Sequence, residues 1–295
     1  MMCAMEEPKQ TFNPRPSKSK LDLPRGSCDA HFHVFGPQAQ FPFAQDRAYT
    51  PADAPKEELF ALHEFLGIDR GVVVQPAIHA FDSRAAADLI ADKKDRYVGV
   101  ALLPVTVEAA ELKGLHQQGF RGVRFNYMRH LGTPPPIDDV IKLAARLAPF
   151  GWHLQIHMES ALIEQLGPKL KLSPIPVVID HMGRIDAGNG LDQAPFRNLL
   201  NLMQEKKIWV KVSGCERASR EGEPYADAVP FARKLVEEFG DRVLWGSDWP
   251  HPNLKAIPDD GVLVDLIAQM APTEGQRQAL LVDNPQRLYK FGEAT

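Results

Sequence analysis

The sequence predicts an α/β protein of the (β/α)8, or TIM barrel, class, and two observations lead to this prediction. Eight short runs of β-branched or otherwise apolar residues recur along the chain, each separated from the next by enough residues for a helix and its loops. The length of 295 residues suits one such barrel, since barrels of about 250 residues form single domains. A doubly wound open sheet is the main alternative, but no Gly-x-Gly-x-x-Gly motif follows the first run.

The elements follow in order along the chain. Residues 1–26 are rich in Pro, Lys and Ser and lack periodicity, so we expect an extended N-terminal arm before a single catalytic domain at 27–295. The segments AAELKGLHQQG and IDDVIKLAARLAPFG have helical spacing and end at glycine, as many helices do. The predicted strands are 29–34, 71–75, 97–102, 121–126, 153–157, 177–181, 208–213 and 243–248.

Composition excludes several classes of protein. The chain is 44% hydrophobic and 24% charged, which allows a sizeable core. A net charge of only -4 without a basic run predicts neither a nucleic-acid partner nor an anionic membrane. The three cysteines, Cys3, Cys28 and Cys215, are odd in number and far apart, which argues against a disulfide framework. Without an export signal or an apolar run of about 18 residues, we expect a cytoplasmic protein.

Histidine and aspartate recur at the predicted C-terminal ends of the strands, where the chemistry of such barrels takes place. The first strand ends with His31 and His33, the fifth with His157, the sixth with His181 and the eighth with Asp248. Because residues i and i+2 of a strand point to one side, His31 and His33 can converge. One such histidine is more often structural than catalytic, but all five together predict an active site.

Other chemically capable residues have simpler interpretations. We interpret His63 and His153 as structural, and Asp29 and Asp180 as groups that support the neighbouring histidines or cap the backbone. Cys215 lacks the His and Asn pattern that a cysteine nucleophile requires, so covalent catalysis is disfavoured.

Three motifs, DAHFH, HMG and WGSDWPHP, resemble the amidohydrolase superfamily. More narrowly they resemble its lactonase branch, which includes 2-pyrone-4,6-dicarboxylate lactonases and 4-sulfomuconolactone hydrolases. The resemblance covers nearly the whole chain, because HVFGP, QFPF, RGVRFN, VIDHMGR, WGSDWPHPN and IPDDG follow in order. It implies a distorted (β/α)8 barrel and the hydrolysis of a small anionic lactone from aromatic-compound degradation.

Lactone opening requires an activated water, a group that polarises the carbonyl and a cradle for the anionic substituents. We expect Asp248 to accept the proton of the water, and His31, His33 and His181 to hold the carbonyl oxygen, directly or through a metal. Arginine suits carboxylates and sulfonates because its planar fork donates two parallel hydrogen bonds. The substrate-binding candidates are Arg124, Arg129, Arg217, His130, Tyr49 and His79.

The resemblance leaves the metal and the substrate open. Pyrone-dicarboxylate lactonases work without a divalent metal and carry Tyr, Ser and Arg where this chain has His157, Ala77 and His130. With His157 present, a ligand set for a single Zn²⁺ is complete, and Arg124 and Asn126 on strand four disfavour a second metal. That set is His31, His33, His157, His181 and Asp248. We therefore expect a zinc-dependent 4-sulfomuconolactone hydrolase, with a metal-independent 2-pyrone-4,6-dicarboxylate lactonase as the close alternative.

Two alternatives from other classes stay open. Zinc-dependent decarboxylases of the same superfamily share the barrel, the histidine pair and the late aspartate. A catalytically silent binding protein would lack some of the five strand-end residues, and none is missing. The sequence leaves homo-oligomerisation open.

Overall fold

The centre of the computed structural model is a sheet of eight parallel strands, each hydrogen-bonded to the next in chain order. The structure describes residues 8–292, so Cys3 and the first seven residues of the predicted arm lie outside it. The strands are β1 (Cys28–Phe32), β2 (Arg70–Val74), β3 (Tyr97–Leu102), β4 (Phe120–Tyr127), β5 (His153–Met158), β6 (Val177–Ile179), β7 (Ile208–Lys211) and β8 (Val243–Leu244).

Backbone hydrogen bonds bring the two edges of the sheet together. The N–H of Ala30 donates to the carbonyl of Trp245 at 2.8 Å, and the N–H of Asp248 donates to the carbonyl of His31 at 2.8 Å. β1 therefore lies against the chain that contains and follows β8, and the prediction of a (β/α)8 barrel is confirmed.

Helices follow the strands on the outside of the barrel. They are α1 (Lys56–Leu66), α2 (Arg84–Asp92), α3 (Ala109–Gln117), α4 (Ile137–Leu147), α5 (Ile163–Leu170), α6 (Ala194–Met203), α7 (Cys215–Ala218), α8 (Val229–Phe239), α9 (Asp260–Asp265), α10 (Ile267–Met270), α11 (Glu274–Gln278) and α12 (Asn284–Tyr289). None of the helices within residues 8–292 is both long and apolar enough to cross a lipid bilayer.

Five strands, β1, β2, β6, β7 and β8, end earlier than their predicted runs. β1 ends at Phe32, so His33 lies just beyond it. β6 ends at Ile179 and β8 at Leu244, so His181 and Asp248 lie in the loops that follow instead of on the strands. Both have left-handed backbone conformations, with φ of 48° for His181 and 62° for Asp248. A strand cannot continue through such a conformation, and the turns direct both side chains over the barrel mouth.

Alternation along the strands divides the core into two layers. On β2, Val73 packs in the large cluster beneath the helices, while Val72 and Val74 belong to an inner cluster that Tyr289 of α12 joins. Higher in the barrel the inward positions become polar. We call the four fully or nearly fully buried side chains there the buried polar layer: Arg124, Gln155, Asp180 and Lys211.

β1 changes its facing direction along its length. Cys28 and Ala30 belong to the inner cluster, whereas Phe32 packs in the outer cluster. The pairing of β1 with β2 shifts register between Asp29 and Phe32, as an irregularity such as a β-bulge does. Without this shift, strict alternation would place Phe32 inside the barrel and His31 outside.

The arm at residues 8–26 contains no helix, and it is tied to α9. The backbone N–H of Ser17 donates to Asp259 at 2.9 Å, and the N–H groups of Lys20 and Leu21 donate to Asp265 at 2.7 and 3.0 Å. These bonds fix a segment that has little secondary structure of its own.

Candidate active site

A cavity of about 340 Å³ lies at the C-terminal ends of the strands. This volume is at the small end of the range for ligand pockets. Eight of the residues proposed from the sequence line it: His33, Tyr49, Arg124, His130, His157, His181, Arg217 and Asp248. His31 is fully buried, and its ring lies 4.5 Å from that of His181 between ring centroids.

One oxygen of Asp248 is the point on which the imidazoles converge. Its Oδ1 lies 3.3 Å from Nε2 of His33, 3.6 Å from Nε2 of His31 and 3.7 Å from Nε2 of His181. His31 lies on β1 and His33 directly after it, His181 lies in the loop after β6, and Asp248 lies in the loop after β8. The structure thus brings together four residues that the sequence separates by more than two hundred positions.

Arg217 of α7 occupies the other oxygen of Asp248. Both Nε and Nη2 of the guanidinium contact Oδ2, and Nη1 donates to the carbonyl of Pro252 at 3.1 Å. Burial alone would raise the pKa of Asp248, but Arg217 and the imidazoles hold that pKa well below its usual range. Asp248 is therefore a carboxylate in the free protein.

Protein groups around the cluster orient the imidazoles through their Nδ1 atoms. Burial lowers the pKa of His31 to about 3 and the pKa values of His157 and His181 well below their ordinary value. In each ring Nδ1 contacts a protein group, and the Nε2 atoms of His31, His33 and His181 point towards Asp248. The Nδ1 partners of His31, His33, His157 and His181 are Lys211 (3.1 Å), Val74 (2.6 Å), Asn126 (3.2 Å) and Ser213 (3.0 Å).

The buried polar layer lies below these rings. Oδ2 of Asp180 accepts hydrogen bonds from Arg124 Nε at 2.8 Å and Gln155 Nε2 at 3.1 Å. Burial opposes the charge of Asp180, but His31, Arg124 and Lys211 hold its pKa well below the usual range. Burial lowers the pKa of Lys211 to about 8. The layer fixes Arg124 and supports His31 from beneath.

The cluster has the spacing of a metal site. Ligand atoms of His31, His33 and Asp248 lie within 4.8 Å of one another, as do those of His31, Asp180 and His181. The Nε2 atoms of His31 and His157 are buried, with no hydrogen-bond partner among residues 8–292. The charges around the cluster fit a metal ion less well than the spacing does. Two candidate ligands already contact cations: Asp248 contacts Arg217, and His31 contacts Lys211. Both groups contain His31, so the fit to zinc depends on whether its Nε2 carries a proton.

Two residues proposed from the sequence lie away from the cavity. The side chain of Arg129 is 91% exposed and pairs with Glu159 at 3.2 Å. It follows β4, but the short helical turn at Arg129–Leu131 points it outwards. His79 is buried beneath a loop, where Nε2 accepts from the N–H of Gly36 and Nδ1 lies 3.3 Å from the carbonyl of Pro42. Neither Arg129 nor His79 lines the cavity, and their contact with substrate stays a prediction.

Two residues that were not predicted from the sequence, Arg184 and Glu216, also line the cavity. Arg184 makes no hydrogen bond or ion pair within the described range, and burial and the nearby Arg217 lower its pKa to about 10. Arg184 is the last residue of the VIDHMGR motif, so the sequence did point to this segment. Its left-handed backbone conformation, with a φ of 57°, turns the side chain inwards, and the motif does not reveal that conformation. Glu216 is a buried carboxyl whose pKa burial raises.

The last two sequence motifs support the loop that carries Asp248. His251 of WGSDWPHPN pairs with Asp260 of IPDDG, with 3.0 Å between Nε2 and Oδ1 and both side chains fully buried. At the other side, Asp29 accepts the backbone N–H groups of His31 at 2.9 Å and Ser247 at 3.0 Å. Asp29 thus joins β1 to the loop after β8.

Comparison with known proteins agrees with this geometry. The amidohydrolase family matches residues 28–291. A 2-pyrone-4,6-dicarboxylate hydrolase of Comamonas testosteroni is 48% identical over 93% of this chain and 93% of its own length. A 4-sulfomuconolactone hydrolase of Hydrogenophaga intermedia is 38% identical over 96% of this chain and 93% of its own length.

Among solved structures, a protein of Pseudomonas putida, provisionally described as a 2-pyrone-4,6-dicarboxylic acid hydrolase, superposes with a TM-score of 0.80. It is 33% identical and covers 92% of this chain and 100% of its own. The match to the family and to these relatives extends over the barrel, the cavity and the residues around Asp248. The chain therefore belongs to the amidohydrolase family, as an ester hydrolase of its lactonase branch.

Proposed function

We propose that the protein hydrolyses 2-pyrone-4,6-dicarboxylate, a lactone that carries two carboxylates. The observation that carries this proposal is that three arginines, Arg124, Arg184 and Arg217, line one small cavity together with the carboxylate of Asp248. The relative of that activity is also more similar, at 48% identity, than the 4-sulfomuconolactone hydrolase at 38%. The activity preferred from the sequence, a zinc-dependent 4-sulfomuconolactone hydrolase, becomes the second candidate.

The three arginines differ in how much of their charge is available. Arg124 donates through Nε to Asp180, and Arg217 pairs with Asp248. Arg184 has no such partner among the described residues. Arg184 is half-buried, and a guanidinium withdrawn from water without a partner is costly unless a ligand anion compensates for it. We therefore assign Arg184 to one substrate carboxylate, with Arg124 or Arg217 at the other.

Substrate binding would also prepare the base. A carboxylate that binds Arg217 competes with Asp248 for the same guanidinium. As the pairing loosens, the pKa of Asp248 rises from its depressed value, and the carboxylate becomes a better acceptor for a proton from water. The free protein thus keeps Asp248 charged, and the bound substrate makes it basic.

The imidazoles complete the reaction. Attack of water on the lactone carbonyl places negative charge on the carbonyl oxygen, and N–H groups in a buried site stabilise that charge. The tetrahedral intermediate collapses with cleavage of the ring C–O bond, and Asp248 returns its proton to the leaving oxygen. Cys215 takes no part, because burial raises the pKa of its thiol and keeps it protonated.

The second candidate, a zinc-dependent 4-sulfomuconolactone hydrolase, is favoured by His157. Its Nε2 is buried, lacks a hydrogen-bond partner in the described part of the chain, and belongs to a side chain that lines the cavity. A bound zinc would supply a Lewis acid for the carbonyl oxygen. The decarboxylase alternative has less support, since both curated relatives described above are named as hydrolases.

Parallel assays on the two lactones test the proposal. Protein purified without added metal is assayed on each lactone in a pH-stat, with and without a chelator, and its zinc content is measured. Release of one proton per turnover, a preference of at least about tenfold for the pyrone dicarboxylate, and activity that survives chelation support the proposal. Preference for the sulfonated lactone, or loss of activity on chelation, would favour the second candidate. Proton consumption would indicate a decarboxylase.

A further inference from the structure

Lys211 lies directly beneath His31 in the buried polar layer. Its side chain is fully buried at the end of β7. Nζ lies 3.1 Å from Nδ1 of His31, 2.8 Å from Oε1 of Gln155 and 3.5 Å from Oδ1 of Asp180. Nothing in the reaction described above uses this lysine.

The chemistry of an ammonium group fixes the direction of these contacts. A lysine ammonium has three N–H donors and no acceptor, and three acceptors surround Nζ. Nδ1 of His31 lies nearer to Nζ of Lys211, at 3.1 Å, than to Oδ1 of Asp180, at 3.3 Å, so we assign Nδ1 as the acceptor from Lys211, without a hydrogen of its own. Since a neutral imidazole has one N–H, that hydrogen lies on Nε2, which is directed at the centre of the cluster, 3.6 Å from Oδ1 of Asp248.

His33 has the opposite arrangement. Its Nδ1 lies 2.6 Å from the backbone carbonyl of Val74, which can only accept, so Nδ1 carries the hydrogen. Its Nε2 lies 3.3 Å from Oδ1 of Asp248. The two rings of the His-x-His pair thus face the same carboxylate but differ at Nδ1, which contacts a cation in His31 and a backbone carbonyl in His33.

We propose that Lys211 is a positioning residue that holds His31 in the tautomer with hydrogen on Nε2. His31 then donates to the carbonyl oxygen of the substrate, a role that rests on the proposed hydrolysis of a lactone. The same contact removes from Nε2 the lone pair that a metal would need. Because both metal-compatible groups contain His31, Lys211 disfavours a zinc site.

A second acceptor near Nδ1 of His31 would allow the other tautomer if Lys211 were removed. Oδ1 of Asp180 lies 3.3 Å from Nδ1 of His31 and makes a longer contact of 3.5 Å with Nζ of Lys211. If Lys211 is removed, Asp180 can accept a hydrogen from Nδ1. That carboxylate–histidine arrangement exposes the Nε2 lone pair and is the one that metal-binding histidines use.

The first experiment reads the tautomer without any substrate. Protein labelled with ¹⁵N-histidine is studied by long-range ¹H–¹⁵N correlation NMR, and the His31 signals are assigned by their loss in His31→Gln. We expect hydrogen on Nε2 of His31 in the unsubstituted protein and on Nδ1 in Lys211→Met. Lys207→Met is the matched control, since Lys207 bonds the carbonyl of Ser173 at 2.8 Å and lies away from the cluster. Hydrogen on Nδ1 of His31 in the unsubstituted protein would refute the proposal even if Lys211→Met fails to fold.

The second experiment separates positioning from general stability. Lys211→Met should lower kcat by about 100-fold, the loss typical of one oxyanion donor, while KM changes less than about threefold. Calorimetry with Zn²⁺ alone should show tighter binding to Lys211→Met than to the unsubstituted protein or Lys207→Met. An unchanged zinc affinity together with an unchanged tautomer would overturn the inference. If the pyrone dicarboxylate is not hydrolysed but the tautomers are as expected, only the proposed function fails.

Discussion

Arg217 and Asp248 form a buried ion pair in which two nitrogens of one guanidinium contact a single carboxylate oxygen, Oδ2. The other oxygen, Oδ1, remains with the imidazoles of His31, His33 and His181. One oxygen of Asp248 therefore contacts a cation, and the other faces the imidazole cluster. If the second carboxylate of the proposed substrate binds Arg217, it would raise the pKa of Asp248 without touching it and so couple substrate binding to the proposed base.

Replacement of Arg217 should change the pH dependence of the reaction. The guanidinium favours the charged form of Asp248 and lowers its pKa, so Arg217→Gln should raise that pKa. The acid limb of the kcat/KM profile, where activity increases with pH, should move to higher pH. Kinetics from about pH 4 to pH 9 would show it. Arg220→Gln, at an exposed pair with Asp186, should leave the limb in place. An unmoved limb in Arg217→Gln would exclude Asp248 as the base.

Arg184 and Arg129 provide a matched pair for substrate binding. A hydrogen bond between charged groups is worth about 1.5–3 kcal/mol, so Arg184→Met should raise KM by about 10- to 100-fold, with a smaller effect on kcat. Arg129→Met should change KM less than about twofold, because its side chain is 91% exposed and outside the cavity. Steady-state kinetics with circular dichroism as a folding control would decide. Equal effects of the two substitutions would contradict the placement of the substrate.

Asp248→Asn should remove turnover while substrate still binds. Loss of a general base costs about 100- to 10,000-fold in rate, whereas the arginines that hold the substrate remain. Single-turnover kinetics and calorimetry with the dicarboxylate would measure the two effects separately. Asp186→Asn makes the same change at a half-buried aspartate outside the cavity, which pairs with Arg220, and should retain full activity. If Asp248→Asn keeps more than a tenth of the rate, another group activates the water.

The pair of His251 and Asp260 should make part of the stability depend on pH. Burial lowers the pKa of His251, but Asp260 outweighs it and leaves that pKa raised. Because His251 binds its proton more tightly in the folded than in the unfolded protein, this proton stabilises the fold. The stabilisation is complete below the pKa of an unfolded histidine, about 6.5, and disappears as the pH rises through the pKa of His251 in the folded protein. His251→Gln should cost about 3 kcal/mol near pH 5.5 and less near pH 9.

Urea unfolding of His251→Gln and the unsubstituted protein at several pH values checks this prediction. His116→Gln is the control, because burial and Arg121 lower the pKa of that partly exposed ring. The difference in free energy of unfolding should shrink with rising pH only for His251→Gln. A difference that grows with pH would mean that His251 is neutral in the folded protein.

Local sequence patterns predicted the barrel well and its loops poorly. All eight predicted strands overlap observed ones, because buried parallel strands are short continuous apolar runs. The runs of β7 and β8 extend past the actual strands, since residues such as Val212 and Trp245 are buried in the loops too. Arg129 lies outside the cavity for a related reason: a position after a strand does not specify which way the following turn points.

The sequence by itself determined the eight units, the positions of His31, His33, His157, His181 and Asp248 near the strand ends, and the family. Only the tertiary structure decided which atoms of these residues meet. The register shift in β1 and the left-handed turns at His181 and Arg184 set the direction of the side chains. The contacts of Lys211 with His31 and of Arg217 with Asp248 join segments distant along the chain. Hydrophobic periodicity reports how one segment is buried, whereas the tautomer of a histidine or the partner of an arginine depends on what barrel closure places opposite it.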